Sequence, residues 1–267
     1  MSEANQAITQ SLAGGVLTVA LNRPDQHNAM NPDIMTGLTT IFDQIPARHD
    51  VRVVVLTGHG RSFCAGADVG FMRAAADYTS EQNVADGQAI FDLMLAIDRC
   101  PRPVIGRVNG AAIGGGAGLV SCCDVVVAVE RATFAFSEAR LGIVPAVISP
   151  FVLSRIGPGH ARELFLTGER FDARRAQAIG LVHHVVPESE LDTAVADRVA
   201  QLLQAAPGAQ ATIKELIRAV AYVPKADVRD YTAETIARRR ASDEGREGMS
   251  AFLEKRSPWW QEERSPD

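Results

Sequence analysis

The stretch NGAAIGGGAGLVSCCD, residues 109–124, sets glycine at four of the five positions from Gly114 to Gly118, inside an aliphatic run. Backbone that bare lets another group come against the main chain, and with no charged side chain nearby the peptide groups themselves must meet any charge. Two phosphate-binding patterns do not fit. A P-loop needs Gly-Lys-Ser/Thr, and nothing basic follows Gly118. A dinucleotide fingerprint needs G-x-G-x-x-G or a final alanine, but its sixth position falls on Leu119 from Gly114 and on Ser121 from Gly116. What remains is a strand, a glycine turn and a helix start, whose unpaired N–H groups and positive dipole end attract an anion. A second such loop, GRSFCAGAD at 60–68, follows a strand ending at Gly58. Two N–H groups, one from each loop, aimed at one oxygen would make an oxyanion hole. Close packing of the helix against a neighbour is the competing use for the same glycines.

The elements that must hold these loops alternate. Residues 15–22, 51–58, 103–110, 124–129 and 132–136 read as strands. Asn31 can cap a helix with Pro32 at its first position, running to about Ile45, and a second helix covers 81–99. From 188 onward only helices are predicted, over 188–206, 208–222, 227–240 and 243–255. Strand–helix units followed by helices alone give an α/β core over 1–187 and a helical region over 188–267. The last ten residues, with Pro258 and Pro266, are expected to fray.

Composition narrows the function classes. A net charge of −5 argues against a nucleic-acid partner, and Arg238, Arg239 and Arg240 are the only dense basic run. The four cysteines have neither metal-ligand spacing nor the look of a disulfide framework. The polar start MSEANQAITQ lacks the apolar stretch of a signal peptide, and no run reaches membrane-spanning length. A soluble, reduced, cytoplasmic protein without a bound metal is the expectation.

Five segments, LNRPDQHNAM (21–30), SFCAGAD (62–68), VNGAAIGGGAGL (108–119), FSEARLGIVP (136–145) and REGMSAFLEKR (246–256), together resemble the enoyl-CoA hydratase/isomerase (crotonase) family, in family order and spacing over nearly the whole chain. The resemblance implies a spiral of ββα units with a helical C-terminal trimerisation region, assembled as a homotrimer or a dimer of trimers. It implies an acyl-CoA thioester as substrate, no cofactor beyond the coenzyme A that the substrate carries, and an enolate oxygen held by the N–H groups of Ala67 and Gly115. Ala65, Ala67, Asp68, Val69 and Gly70 would line the CoA and thioester channel, and Gly114 would border the hole. Arg23, Gln26, His27 and Asn28 would lie near the CoA nucleotide. Phe252 and Lys255 would reach toward CoA across a subunit boundary. Gly70 replaces a lysine seen in some members.

Well-known hydratases of the family carry two glutamates. One is present as Glu138; the position of the other is Gly118, which predicts a widened pocket or, alternatively, a small residue for helix packing. A single carboxylate can add water if it takes a proton from water and returns one to the α-carbon, and it can equally shift a double bond as an isomerase. For Glu138 itself, a surface position or a salt bridge with Arg140 is the bland alternative. The segment PAVISPFV (145–152) with GGGAGL resembles bacterial hydratases of the methylglutaconyl-CoA and isohexenylglutaconyl-CoA type, which act on branched, carboxylated enoyl groups. A non-catalytic, RNA-binding member of the family is disfavoured because residues 31–46 contain no lysine or arginine. His183, His184 and Cys64 are expected to pack rather than react, Asp68 to cap or orient its loop, and Trp259 and Trp260 to cover an interface or the CoA adenine region.

Overall fold

The computed structural model describes residues 7–261. Strands Ile8–Ala13 (β1) and Val16–Leu21 (β2) form a hairpin across Gly14 and Gly15, both at positive φ (55° and 77°). Two such residues make the turn whose twist matches paired strands. Val53–Gly58 (β3), Val104–Val108 (β4), Val125–Val129 (β6) and His184–Val186 (β9) add in parallel, giving the order β1-β2-β3-β4-β6-β9. A smaller sheet holds Ala112–Ile113 (β5), Thr133–Ala135 (β7) and Arg170–Asp172 (β8), in the order β5-β7-β8. Every residue of β3 is buried, as a parallel central strand covered on both faces requires.

Helix Pro32–Gln44 (α1) starts as expected: Asn31 Oδ1 accepts the Ile34 N–H at 3.0 Å, and Pro32 occupies the first turn. Ile34, Leu38, Ile41 and Phe42 recur at helical spacing and are buried; α1 packs on Ser80–Asp98 (α3), which buries Leu93, Met94 and Ile97. Gly115–Cys122 (α4) opens at the glycine cluster. Several elements lie outside the expected set. Strand β1 is an edge strand with four exposed residues, so its apolar pattern is weak. Helix Val69–Ala75 (α2) buries none of its residues. Helix Ser149–Thr167 (α5) is broken at Gly157 (φ 72°) before Pro158, which interrupts its periodicity. Ala173–Ala178 (α6) is a short helix capped by Asp172.

The C-terminal helices are Leu191–Leu203 (α7), Pro207–Val220 (α8), Arg229–Ala241 (α9) and Asp243–Glu254 (α10). Helix α7 lies on the sheet and buries Leu191 and Val195. Helix α8 is turned the other way. Its polar side faces the protein: Lys214 pairs with Asp124, Arg218 donates to the Asp98 carbonyl, and Gln210 donates to the Leu202 carbonyl. Ile213 and Ile217 are more than half exposed, as are Phe252 and Leu253 of α10. Of the expected fraying segment, Trp259–Gln261 form a short 3-10 turn in which Trp260 Nε1 donates to the Gln204 carbonyl; residues 262–267 lie outside the described residues. Among the described residues no helix is long and apolar enough to cross a membrane.

The segment 22–30 crosses the loop 60–68 as a strap. His27 and Asn28 are both left-handed (φ 51° and 56°), a conformation that costs non-glycine residues free energy and must be held by neighbours. The Asn28 side chain holds it. Its Oδ1 accepts the Arg23 N–H, and its Nδ2 donates to the carbonyls of His59 (2.9 Å) and Ser62 (2.8 Å), with the residue fully buried. Asn28→Ala strands these groups and keeps the left-handed backbone, so unfolding in urea is expected to show a loss of about 2–4 kcal/mol. A loss below about 1 kcal/mol would mean that the strap is held by something else.

Candidate active site

Main-chain pairing brings the two loops together. The Phe63 and Cys64 N–H groups donate to the Ala111 carbonyl, and the Ile113 N–H donates to the Cys64 carbonyl, each at 3.0 Å. The contact is close enough to require bare backbone: a Cβ at Gly116 would lie 2.2 Å from the Cys64 carbonyl oxygen. The glycines thus serve helix packing as well as opening the chain. Gly114, at φ 52°, donates its N–H to the Ala135 carbonyl and turns the chain into α4. Gly115 is then the first helical residue, and its N–H points along the helix start, where no intrahelical acceptor exists.

The other loop is aligned by Met30. The Met30 N–H donates to the Gly66 carbonyl (2.7 Å), and the Asp68 N–H donates to the Met30 carbonyl (2.8 Å). Along an extended chain successive peptide groups face opposite ways, so the N–H of Ala67 points away from Met30. Asp68 does cap its loop. Its Oδ1 accepts from the N–H groups of Gly70 and Phe71, and its Oδ2 pairs with Arg23 at 2.9 Å. The Arg23 guanidinium holds this carboxyl below the usual carboxylate range.

Glu138 opens a 3-10 turn, Glu138–Leu141, that follows β7 and closes on left-handed Gly142. A Cβ added to Gly114 would come within 3.1 Å of Glu138 Oε1, so the carboxylate lies against the turn that begins α4. Its Oε2 is buried and has no hydrogen-bond partner among the described residues. Burial pushes its pKa upward. The expected alternative, a salt bridge to Arg140, is not formed: Arg140 Nε donates instead to the Thr167 carbonyl at 3.1 Å. A part-buried carboxylate with one oxygen unpartnered and no paired cation, beside a helix start with free N–H groups, can pass a proton to or from a bound molecule.

Gln26 and His27 are exposed on the strap, with His27 Nδ1 3.1 Å from Ser62 Oγ; Ala65 donates its N–H to the His27 carbonyl. Val69 and Gly70 are exposed on the first turn of α2. Phe252 and Lys255 stand exposed at the end of α10, and none of the contacts that hold the Glu138 turn involves them. Two expectations need correction. Asn28 cannot touch a nucleotide with its side chain, because that side chain is buried and committed to the strap; the part-exposed Arg23 guanidinium bonds the Ala29 carbonyl and Asp68. Gly118 opens no pocket. A Cβ there would meet Ile148 Cγ2 at 2.5 Å and Met94 Cε at 3.2 Å, so those side chains already fill the space.

The remaining candidates pack. His183 Nδ1 accepts the Val126 N–H at 2.9 Å, which needs a neutral ring, and burial lowers its pKa accordingly. Burial drives the Cys64 thiol up to about 11, far from a reactive thiolate. Met30, Met94 and Ile148 escaped the sequence reading because an apolar residue in an apolar run signals core and nothing more. A cleft of about 490 Å³ lies between α3, at Val84, Gly87 and Phe91, and Val147, the neighbour of Ile148. A larger groove of about 840 Å³ lies between β1–β4 and α7, and its lining includes neither Glu138 nor any residue of the loops 60–68 and 109–118.

Comparison with known proteins gives a consistent answer. The family model described as enoyl-CoA hydratase/isomerase matches residues 11–263. A crotonyl-CoA hydratase of Syntrophomonas wolfei is 35% identical over 241 residues, covering 88% of this chain and 90% of that protein. The crystal structure of an enoyl-CoA hydratase from Shewanella pealeana superposes with a TM-score of 0.93 at 38% identity, covering 97% of both chains. AtuE of Pseudomonas aeruginosa gives 0.92 at 35% identity, over 96% of this chain and all of that one.

The packing at Gly118 is directly testable. Gly118→Ala forces a methyl group against Ile148 and is expected to destabilise the protein by about 1–3 kcal/mol in thermal melts. Adding Ile148→Ala removes the opposing Cγ2, so the double variant should lose less than the sum of the two singles. Strict additivity would mean that the residue at 118 does not press on Ile148.

Proposed function

The chain belongs to the enoyl-CoA hydratase/isomerase family, and we propose that it adds water across the α,β double bond of an enoyl-CoA thioester with Glu138 as its single proton carrier. Glu138 takes a proton from water as the water oxygen bonds to the β-carbon. The π electrons move onto the thioester oxygen, which the N–H groups of Ala67 and Gly115 stabilise as an enolate. Glu138 then returns its proton to the α-carbon, and the carbonyl re-forms. Each backbone donor in such a hole typically contributes about 10²–10³ in rate, and a positioned acid/base about 10²–10⁴. The observation that carries the reading is the Glu138 carboxylate set against Gly114, with its Oε2 buried and without a hydrogen-bond partner among the described residues.

The rest of the substrate follows the same proposal. The CoA arm passes Ala65, Val69 and Gly70 and reaches the exposed Gln26 and His27. Phe252 and Lys255 complete the channel from a neighbouring copy in a trimer or paired trimers, with residues 188–267 as the oligomerisation region. The outward apolar side of α8 supports that assembly, since a lone chain would leave Ile213 and Ile217 in water. The acyl end lies toward the cleft at Val147, and branched, carboxylated enoyl groups are the preferred class. The proposed setting is the cytoplasm, with no resident metal or redox cofactor and no nucleic-acid partner.

Glu138→Gln keeps the side-chain shape but cannot carry the proton. Hydration, followed as loss of the conjugated thioester absorbance over straight, branched and carboxylated enoyl-CoAs, should fall by about 10²–10⁴ while acyl-CoA binding persists. Full hydration by this variant would move the proton transfer to another residue, and a product with a migrated double bond and no hydroxyl group would make the enzyme an isomerase. The raised pKa fixes two pH effects. The base must be ionised, so the acid limb of kcat should lie above the ordinary glutamate range. The folded chain also holds this proton more tightly than the unfolded one, so the stabilisation is complete below the unfolded pKa and is lost as pH rises through the folded pKa. Glu138→Gln should therefore be more stable than the parent at neutral pH, with the advantage vanishing in acid. Assembly is checked by light scattering: the parent should be trimeric or hexameric, and Ile217→Glu should yield folded monomers. A monomeric parent would end that part of the proposal.

A further inference from the structure

Two backbone N–H groups can serve one oxygen only if the loops that carry them hold a fixed separation, because neither has a rotamer to adjust. One residue contacts both. Met30 is bonded through its main chain to Gly66 and Asp68, which flank Ala67. Its side chain runs to Gly115, where Cε occupies the place a Cβ would take (2.0 Å) and Sδ lies 3.6 Å away. Met30 is 4% exposed. Its own place is over-determined, by the left-handed pair at His27 and Asn28 before it and by the Asn31 cap of α1 after it. Methionine suits the span: it is unbranched, and its Sδ–Cε end reaches a main chain that a leucine would leave uncovered.

We propose that Met30 is a positioning residue that sets the separation of the Ala67 and Gly115 N–H donors, an inference that rests on the hydratase reading above. Gly115 is then bare for a second reason, since the place its Cβ would take is the seat of the Met30 methyl. Nothing in ordinary core packing requires one side chain to tie these two peptide groups together. Core packing alone predicts that shortening Met30 lowers stability and leaves the chemistry of the surviving folded protein unchanged. Positioning predicts a loss in kcat that does not track stability, because a displacement near 1 Å at a reacting centre can cost about 10²-fold.

The experiment uses the full chain, with Met30→Leu, Met30→Ala, Gly115→Ala and the Met30→Ala/Gly115→Ala pair. Two readouts are taken on each: hydration of crotonyl-CoA, and the red shift of a bound aromatic enoyl-CoA thioester, whose absorbance responds to hydrogen bonding at its carbonyl. Met30→Leu, which keeps the core filled, should retain KM within about twofold while kcat falls about 10–100-fold and the red shift shrinks. In Gly115→Ala the new Cβ displaces the Met30 methyl. Adding Met30→Ala vacates that seat, so the double variant should exceed Gly115→Ala in kcat. Folded Met30→Leu with kcat within about threefold of the parent and an undiminished red shift would overturn the proposal. A double variant no faster than Gly115→Ala would overturn it as well, and that comparison decides even if Met30→Ala alone fails to fold. A parent protein that hydrates none of the straight, branched and carboxylated enoyl-CoAs and does not shift the probe would instead remove the hydratase reading beneath it.

Discussion

Backbone N–H donors cannot be re-aimed by side-chain rotation, so the site depends on the main-chain pairing of two loops far apart in sequence. The hydrogen bonds of Phe63 and Cys64 to Ala111, and of Ile113 to Cys64, fix how the segments 60–68 and 109–115 lie against each other. The glycine at position 116 is a condition of that pairing, because a side chain there would strike the Cys64 carbonyl. Strap and core then act as supports. Asn28 holds the left-handed turn, Met30 bonds both sides of Ala67, and α4 and β5 inherit their placement from the join.

Glu138 shows a stability cost placed where it is useful. A buried carboxylate oxygen without a partner is unfavourable in the resting protein, and burial raises its affinity for a proton. The same lack of partners leaves it available to a substrate, and the raised pKa brings it closer to the pH at which a carboxyl can both take and give a proton. Arg140, the cation nearest in sequence, is held by Thr167 instead and does not quench it. Opposite, Ile148 and Met94 pack on Gly118, so the ground beside the second turn of α4 is apolar. That arrangement matches a mechanism in which one acid does all the proton transfer.

Helix α8 reverses the usual order of polar and apolar faces. Its inward contacts are charged and hydrogen-bonded: Lys214 reaches Asp124, just beyond the end of α4, and Glu244 of α10 accepts from the N–H groups at Gly208 and Ala209. Directional contacts of this kind hold orientation while leaving Ile213 and Ile217 facing outward. Helix α7, by contrast, lies on the sheet with Leu191 and Val195 buried, and so belongs energetically with the core.

Local chemistry was legible along the chain. The Asn31–Pro32 start of α1, the apolar period from Ile34 to Phe42, the β-branched run of β3 and the glycine turn before α4 all express interactions between residues near one another in sequence. Five ordered segments were enough to identify the family and its hydratase chemistry. Contacts across the fold were not legible. Asn28 looked like a ligand contact until the carbonyls of His59 and Ser62 were seen to take both its amide hydrogens. Gly118 looked like an opening until Ile148, thirty positions later, was seen to fill it. Met30 carried no signal at all, since an apolar side chain acquires a role only from what it touches. Strand β1 and the broken helix α5 were missed for a related reason: edge exposure and the Gly157–Pro158 break erase the periodicity that a linear reading relies on, and only tertiary packing restores them as elements.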